Sequence, residues 1–329
     1  MSAVTPVIVI VTALLAAACV GDDPERAGAE TPAAVTGGES PAAESTDEGA
    51  SPVATLDTAP GAFALDLRTG ETTPLPETLP ADVFVFYTAS PDGSMLAYTT
   101  CSGPYCGSLD VLTIVNTDGT DARVLEAPEG LMLDGAQWSA DGTKLVYQAR
   151  HAAVRDIGNL FVHDLASGVR TQITDLQVPP PYWWFITPSF SHDGRSVVYH
   201  LPRTGAETTR WDVWSVPATG GKSTLLLRDA SFPMFFPDGR RIAFVVPSPS
   251  DFSGHRIEIA SADGRGSRRT LVRADGAIWF PTMSPDGTRI AYAEGGSIHV
   301  VDVSTGESTN VAEGSSAEWL DDRTLIVSP

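Results

Sequence analysis

From residue 61 to the C-terminus, short apolar runs alternate with polar turns carrying Asp and Gly, the mark of many short β-strands. Five runs share one pattern: Met95-Leu96-Ala97-Tyr98, Lys144-Leu145-Val146-Tyr147, Ser196-Val197-Val198-Tyr199, Arg241-Ile242-Ala243-Phe244 and Arg289-Ile290-Ala291-Tyr292. A turn phrase precedes each: Ser90-Pro91-Asp92-Gly93, Ser139-Ala140-Asp141-Gly142, Ser191-His192-Asp193-Gly194, Phe236-Pro237-Asp238-Gly239 and Ser284-Pro285-Asp286-Gly287. In such a phrase Pro presets φ, Asp bonds back to its own backbone and Gly supplies positive φ. The copies recur every 45–52 residues, the period of propeller blades.

Between copies lies a second hairpin signal, with turns at Asp118-Gly119, Ser167-Gly168, Gly220-Gly221, Asp263-Gly264 and Thr305-Gly306. Two hairpins per unit make a four-stranded antiparallel blade, which buries its faces only by stacking in a ring. The ends carry complementary halves. Ala62–Leu67 and Glu71–Leu75 form an orphan outer hairpin, and Ala317–Trp319 with Thr324–Val327 an orphan inner one. Joined, they give a sixth blade and remove two exposed sheet edges. The expected fold is therefore all-β, a six-bladed propeller closed by two N-terminal and two C-terminal strands.

Composition divides the chain into residues 1–18, 19–60 and 61–329. The last segment is the propeller. Residues 20–60 are rich in Ala, Pro, Gly, Ser, Thr and acidic groups, too poor in apolar surface to offset chain entropy, which predicts a disordered linker. Residues 1–18 hold an apolar run ending in Leu15-Ala16-Ala17-Ala18 before Cys19, similar to a bacterial lipoprotein signal whose Cys is lipidated. No Lys or Arg precedes the run, and Leu15 stands one place earlier than usual. Plain secretion and an uncleaved anchor stay open. The expected location is the bacterial cell envelope, outside the cytoplasm.

The formal net charge is −20, which argues against nucleic acid as a partner. Besides Cys19, the sequence has Cys101 and Cys106. In an exported protein two close Cys in a turn-rich loop read as a disulfide. No metal site or cofactor is expected. Thr219-Gly220-Gly221-Lys222-Ser223-Thr224 is similar to a phosphate-binding loop but joins strand to strand, so it reads as a hairpin turn. No Gly-x-Ser-x-Gly or His-Glu-x-x-His occurs. His151, His200 and His255 fall at strand ends on one face, where a metal triad would have to form. Trp138, Phe190, Phe235, Met283 and Trp319 share one repeat position, which assigns them to packing between blades.

The Ser-Pro-Asp-Gly hairpins, with the following Arg-Ile-Ala-Tyr-type strands, resemble the TolB-type β-propeller repeat across about residues 61–329. The resemblance implies the fold and leaves the activity open. Within residues 1–329 the expectation departs from TolB and from the propeller peptidases, because neither an N-terminal α/β domain nor a hydrolase domain is read from the sequence.

The function expected is a non-catalytic, lipid-anchored, monomeric binding or scaffold protein for a protein or peptide. The alternative is a metal-assisted lyase or hydrolase at the channel mouth. Short turns all belong to one face of the ring. Long connections belong to the other: Cys101–Ser108, Arg150–Ile157, Asp175–Ile186, Pro202–Arg210 and Pro247–Gly254. Irregular loops on a rigid scaffold commonly carry binding. The candidates are Tyr105, Arg150, His151, Arg155, Asp156, Tyr182, Trp183, Trp184, Arg203, Arg210 and Asp251. Tyr182, Trp183 and Trp184 are the first choice as anchors, or else cap the layer between two blades.

Overall fold

The repeated phrase folds by satisfying itself. The Ser90 hydroxyl donates to Asp92 Oδ1 at 2.6 Å and accepts the Met95 N–H at 2.9 Å, while Asp92 Oδ1 accepts the Ser94 N–H at 3.1 Å. The same bonds recur in the turns starting at Ser139, Ser191 and Ser284. Gly93 sits at φ +69°, a conformation glycine adopts without steric cost. The Ser90 and Ser94 bonds hold Asp92 at a pKa of about 2.

The structure, a computed structural model, describes residues 61–80, 85–100, 111–127, 130–151, 158–176, 186–203, 210–246 and 255–329. Its strands form six four-stranded antiparallel sheets, numbered here as blades from the first complete one. Blade 6 holds β1 (Phe63–Asp66) and β2 (Thr72–Pro74). Blade 1 holds β3 (Val85–Ala89), β4 (Met95–Thr100), β5 (Leu112–Asn116) and β6 (Arg123–Leu125). Blade 2 holds β7 (Leu131–Trp138), β8 (Lys144–His151), β9 (Asn159–Asp164) and β10 (Arg170–Gln172). Blade 3 holds β11 (Ser189–Phe190), β12 (Ser196–Pro202), β13 (Trp211–Pro217) and β14 (Thr224–Arg228). Blade 4 holds β15 (Ser231–Phe235), β16 (Arg241–Val246), β17 (Arg256–Ser261) and β18 (Arg269–Arg273). Blade 5 holds β19 (Trp279–Met283), β20 (Arg289–Glu294), β21 (Ser297–Asp302) and β22 (Ser308–Glu313). β23 (Ser316–Trp319) and β24 (Thr324–Ser328) complete blade 6 in the order β2-β1-β24-β23.

The two-plus-two closure expected from the sequence is therefore present. Phe63 pairs with Val327 and Leu65 with Leu325. The innermost strands touch in sequence around the ring, and β23 contacts both β19 and β3.

The core lies between the blades. Six apolar clusters occupy the six interfaces among the described residues. In five of them an aromatic of the second strand is the anchor: Tyr98, Tyr147, Tyr199, Phe244 and Tyr292, all buried. Burying each such side chain stabilises the fold by about 1.5–3 kcal/mol. The inner aromatics add a directional bond to the preceding blade. Trp138 Nε1 donates to the Thr88 carbonyl at 3.1 Å and Trp319 Nε1 to the Thr282 carbonyl at 3.2 Å. This position packs between blades, as its recurrence implied.

Candidate functional site in the central channel

The innermost strands surround a channel of about 390 Å³. Each begins at the end of the ring where the long connections lie and runs toward its Asp-Gly turn. In three blades that run is interrupted by one extra residue. Asp134 and Gln137 pair with Gln148 and Val146, Ser231 and Met234 with Val245 and Ala243, Trp279 and Thr282 with Ala293 and Ala291. These are β-bulges, which re-aim side chains. The residue entering each bulge has positive φ: Gly135 at +59°, Phe232 at +48° and Phe280 at +45°. At blade 2 only glycine fits, because a Cβ there would lie 2.7 Å from the Ile186 carbonyl oxygen. In blades 4 and 5 a bulky Phe takes the strained conformation, which costs on the order of 1–3 kcal/mol.

The bulges place aromatic rings at the channel mouth. Phe280 stands 4.9 Å from Phe86 and 6.2 Å from Phe232, centroid to centroid. Phe86 comes from blade 1 and Phe232 from the opposite blade 4, so the rings meet across the channel. All three are half-buried. The His200 ring lies 5.0 Å from Phe232, and its Nδ1 accepts the Phe232 N–H at 3.2 Å, which steadies the strained residue.

Two carboxylates line the channel. Asp134 is buried, and its Oδ2 lies 3.4 Å from Arg150 Nη2. Burial pushes its pKa up against the opposing Arg150 charge. Glu318 accepts the Thr282 hydroxyl at 2.9 Å. Desolvation by the surrounding ring pushes Glu318 up to about 7, against hydrogen bonds from Thr282, the Ala89 N–H and Thr88.

Four of the sequence candidates fall among the described residues, and all four sit at the long-connection end. His151 ends β8 and is exposed. Arg150 is buried against Asp134. Arg203 donates to both oxygens of Asp212 and, at 3.1 Å, to Asp229, which also accepts from Arg210 at 3.1 Å. Burial opposes the Asp212 charge, but Arg203, the Asp229 N–H and Arg228 together hold its pKa below the usual carboxylate range. Arg150, Arg203 and Arg210 are thus committed to acidic partners within their own blades. Tyr105, Arg155, Asp156, Tyr182, Trp183, Trp184 and Asp251 lie outside the described residues, as do Cys19, Cys101 and Cys106.

His200 and His255 each spend Nδ1 on a main-chain N–H, that of Phe232 and Ile278 respectively. Among the described residues no group of three or more His, Cys, Asp and Glu converges as a metal site requires. Sequence reasoning missed Phe86, Phe232, Phe280, Asp134 and Glu318. The available signal was Phe232-Pro233 and Phe280-Pro281, an aromatic before Pro at the same distance from the turn in successive repeats.

The ring of four-stranded blades, each built on self-bonded Asp turns, is a six-bladed β-propeller. Solved structures share the fold. A putative TolB from Agrobacterium tumefaciens matches at a TM-score of 0.62 and 17% identity, over 81% of this chain and 96% of that one. TolB from Acinetobacter baumannii matches at 0.55 and 16% identity, over 81% of this chain and 63% of that one. The tricorn protease matches at 0.50 and 12% identity, over 82% of this chain and 29% of that one. No protein-family model matches the sequence, and no curated protein does.

Proposed function

We propose that this chain is a non-catalytic binding propeller, held outside the cytoplasmic membrane of a bacterial cell by a lipid on Cys19. It meets a protein or peptide with the long-connection end of its ring. The observation that carries the reading is the half-buried group Phe86, Phe280 and Phe232 at that end, two of them at positive φ. Strained backbone around partly open apolar rings serves a contact surface better than it serves a core. The same fold occurs within a protease, so an enzyme at the channel mouth is the competing reading.

A photo-crosslinking residue at His151, exposed at the long-connection end, is compared with one at Thr305, exposed at the short-turn end. Crosslinks to a cell-envelope protein or peptide from His151 and none from Thr305 are expected. Equal crosslinking from both ends, or near-stoichiometric divalent metal in the purified protein, would overturn the reading. Cys19→Ala is expected to move the protein out of the membrane fraction or leave its precursor unprocessed.

A further inference from the structure

The charges in the channel are unequally matched. Asp134 faces Arg150. Glu318 is met by neutral donors: the Thr282 hydroxyl, the Ala89 N–H and the Thr88 hydroxyl. Among the described residues lining the channel there is no Lys or Arg. Asp134 is already paired with Arg150, so an anion entering there would meet the unpaired charge of Glu318 and gain no cation from the lining, whereas a cation would find that carboxylate in a low-dielectric ring, where charge attraction is strong. The rings at the mouth favour the same sign, since aromatic faces attract ammonium groups.

Size points to the ligand's shape. The cavity of about 390 Å³ falls at the lower end of small-ligand sites, about 300–1,000 Å³. Phe280 precedes Thr282, the residue that holds Glu318, by two positions on β19. The bulge between Trp279 and Thr282 brings these two positions closer than the about 6.6 Å that two residues of regular strand span, within the reach of a short alkyl stem between a carboxylate and an aromatic ring.

We propose that the channel is a binding site for an organic ammonium group on an apolar stem. Glu318 takes the ammonium, and Phe86, Phe232 and Phe280 enclose the apolar part. The site rests on the binding-propeller reading and names what the channel recognises. The ammonium comes either from a free amine or from a Lys side chain of a peptide partner.

The test is calorimetric titration of the full processed chain with 2-phenylethylammonium and its neutral isostere 2-phenylethanol, with melting recorded for every variant. Saturable binding of one ammonium per chain is expected, at least tenfold tighter than the alcohol. Glu318→Gln, which keeps shape and removes charge, is expected to lose at least tenfold in ammonium affinity. Gln137→Lys places an ammonium on the channel wall and is expected to abolish binding. A third arm, a capped Ala-Lys-Ala peptide, separates the sources: tighter binding than the free amine assigns the Lys side chain, weaker binding the small molecule. Equal affinity for amine and alcohol, absence of saturable ammonium binding, or binding retained in both folded variants would overturn the assignment. Crosslinking from His151 without ammonium binding would overturn the channel assignment alone. Loss of both would overturn the binding-propeller reading as well.

Discussion

The Thr282 hydroxyl donates to Glu318 Oε2 at 2.9 Å, across the seam between blade 5 and the closing blade. The same carboxylate takes the Ala89 N–H and the Thr88 hydroxyl from blade 1. One side chain of blade 6 thus ties both of its neighbours. Beside it, Trp319 bonds the carbonyl of that same Thr282. The closure consists of the β1–β24 ladder and this polar clasp.

The clasp has a pH signature. Glu318 has its pKa raised by desolvation from 4.5 to about 7. Folding therefore favours its protonated form, and this contribution is full below pH 4.5 and lost as pH rises to 7. Above that, ionised Glu318 costs up to about 3 kcal/mol relative to a neutral side chain. Asp134, His192 and Tyr87, the other titratable groups of the channel lining, are common to both proteins and cancel in the difference. Urea unfolding from pH 4 to 8 should show Glu318→Gln matching the parent at the acid end and exceeding it in stability above pH 7. A stability difference that does not vary with pH would contradict this.

The closing ladder predicts a loss of cooperativity. Deleting Trp319–Pro329 removes β24, to which β1 is paired through four residues, and leaves an exposed sheet edge. Calorimetry should show a broadened or absent transition, with aggregation. The milder Trp319→Phe keeps the ring and loses the bond to Thr282, which should cost about 1–3 kcal/mol because the carbonyl is left unmet. Trp138→Phe, which loses the equivalent bond to Thr88, should cost a similar amount. A much larger loss from Trp138→Phe would show that the seam is not built from the same device as the other interfaces.

Phe280 should be nearly neutral for stability. Phe280→Gly removes a half-buried ring but also the strain of a bulky residue at φ +45°, about 1–3 kcal/mol. The two effects oppose, so urea midpoints should place the variant within about 1 kcal/mol of the parent. Phe244→Ala, at a fully buried position without positive φ, should lose about 3–5 kcal/mol. A Phe280→Gly loss as large as that of Phe244→Ala would make Phe280 a core residue.

The blades were legible in the sequence because their chemistry is local and repeated. Ser90, Asp92 and Gly93 bond within their own turn, so the phrase declares its conformation without neighbours. The closure was legible by counting, since Phe63–Leu67 and Thr324–Val327 each needed an edge partner. The channel was not. Glu318 looks like any polar residue on an inner strand, and only the meeting of blades 5, 6 and 1 gives it three hydrogen-bond donors and a raised pKa. The bulges escaped because Ser231–Phe235 and Trp279–Met283 are short and apolar at nearly every position, so the reversal of faces that one extra residue imposes leaves no visible break in the pattern. Arg203 and Arg210 were placed at the correct end from loop length, but their partners Asp212 and Asp229 lie on other elements of blade 3 and so could not be paired in advance.

That pairing makes Arg203 separable from a binding role. Asp212 is buried, and its charge is held by Arg203 on both oxygens, with Arg228 more distant at 3.9 Å. Removing one member of such a pair leaves an uncompensated buried charge, which costs about 3–5 kcal/mol when burial is complete. Arg203 is partly open to solvent, so about 2–3 kcal/mol is expected for Arg203→Ala, with much of it recovered in Arg203→Ala, Asp212→Asn, where no charge is stranded. The Asp212 contribution is present above the unfolded pKa of an aspartate and is lost as pH falls through its lowered folded value, so the Arg203→Ala deficit should shrink toward pH 3. Arg210→Ala should be mild, because Asp229 keeps Arg203 and both partners are exposed, a setting in which ion pairs contribute about 0–1 kcal/mol. Urea midpoints at pH 3 and 7 check the set. A double mutant no more stable than Arg203→Ala would rule out the ion pair as the source of the loss and return Arg203 to the pool of contact residues.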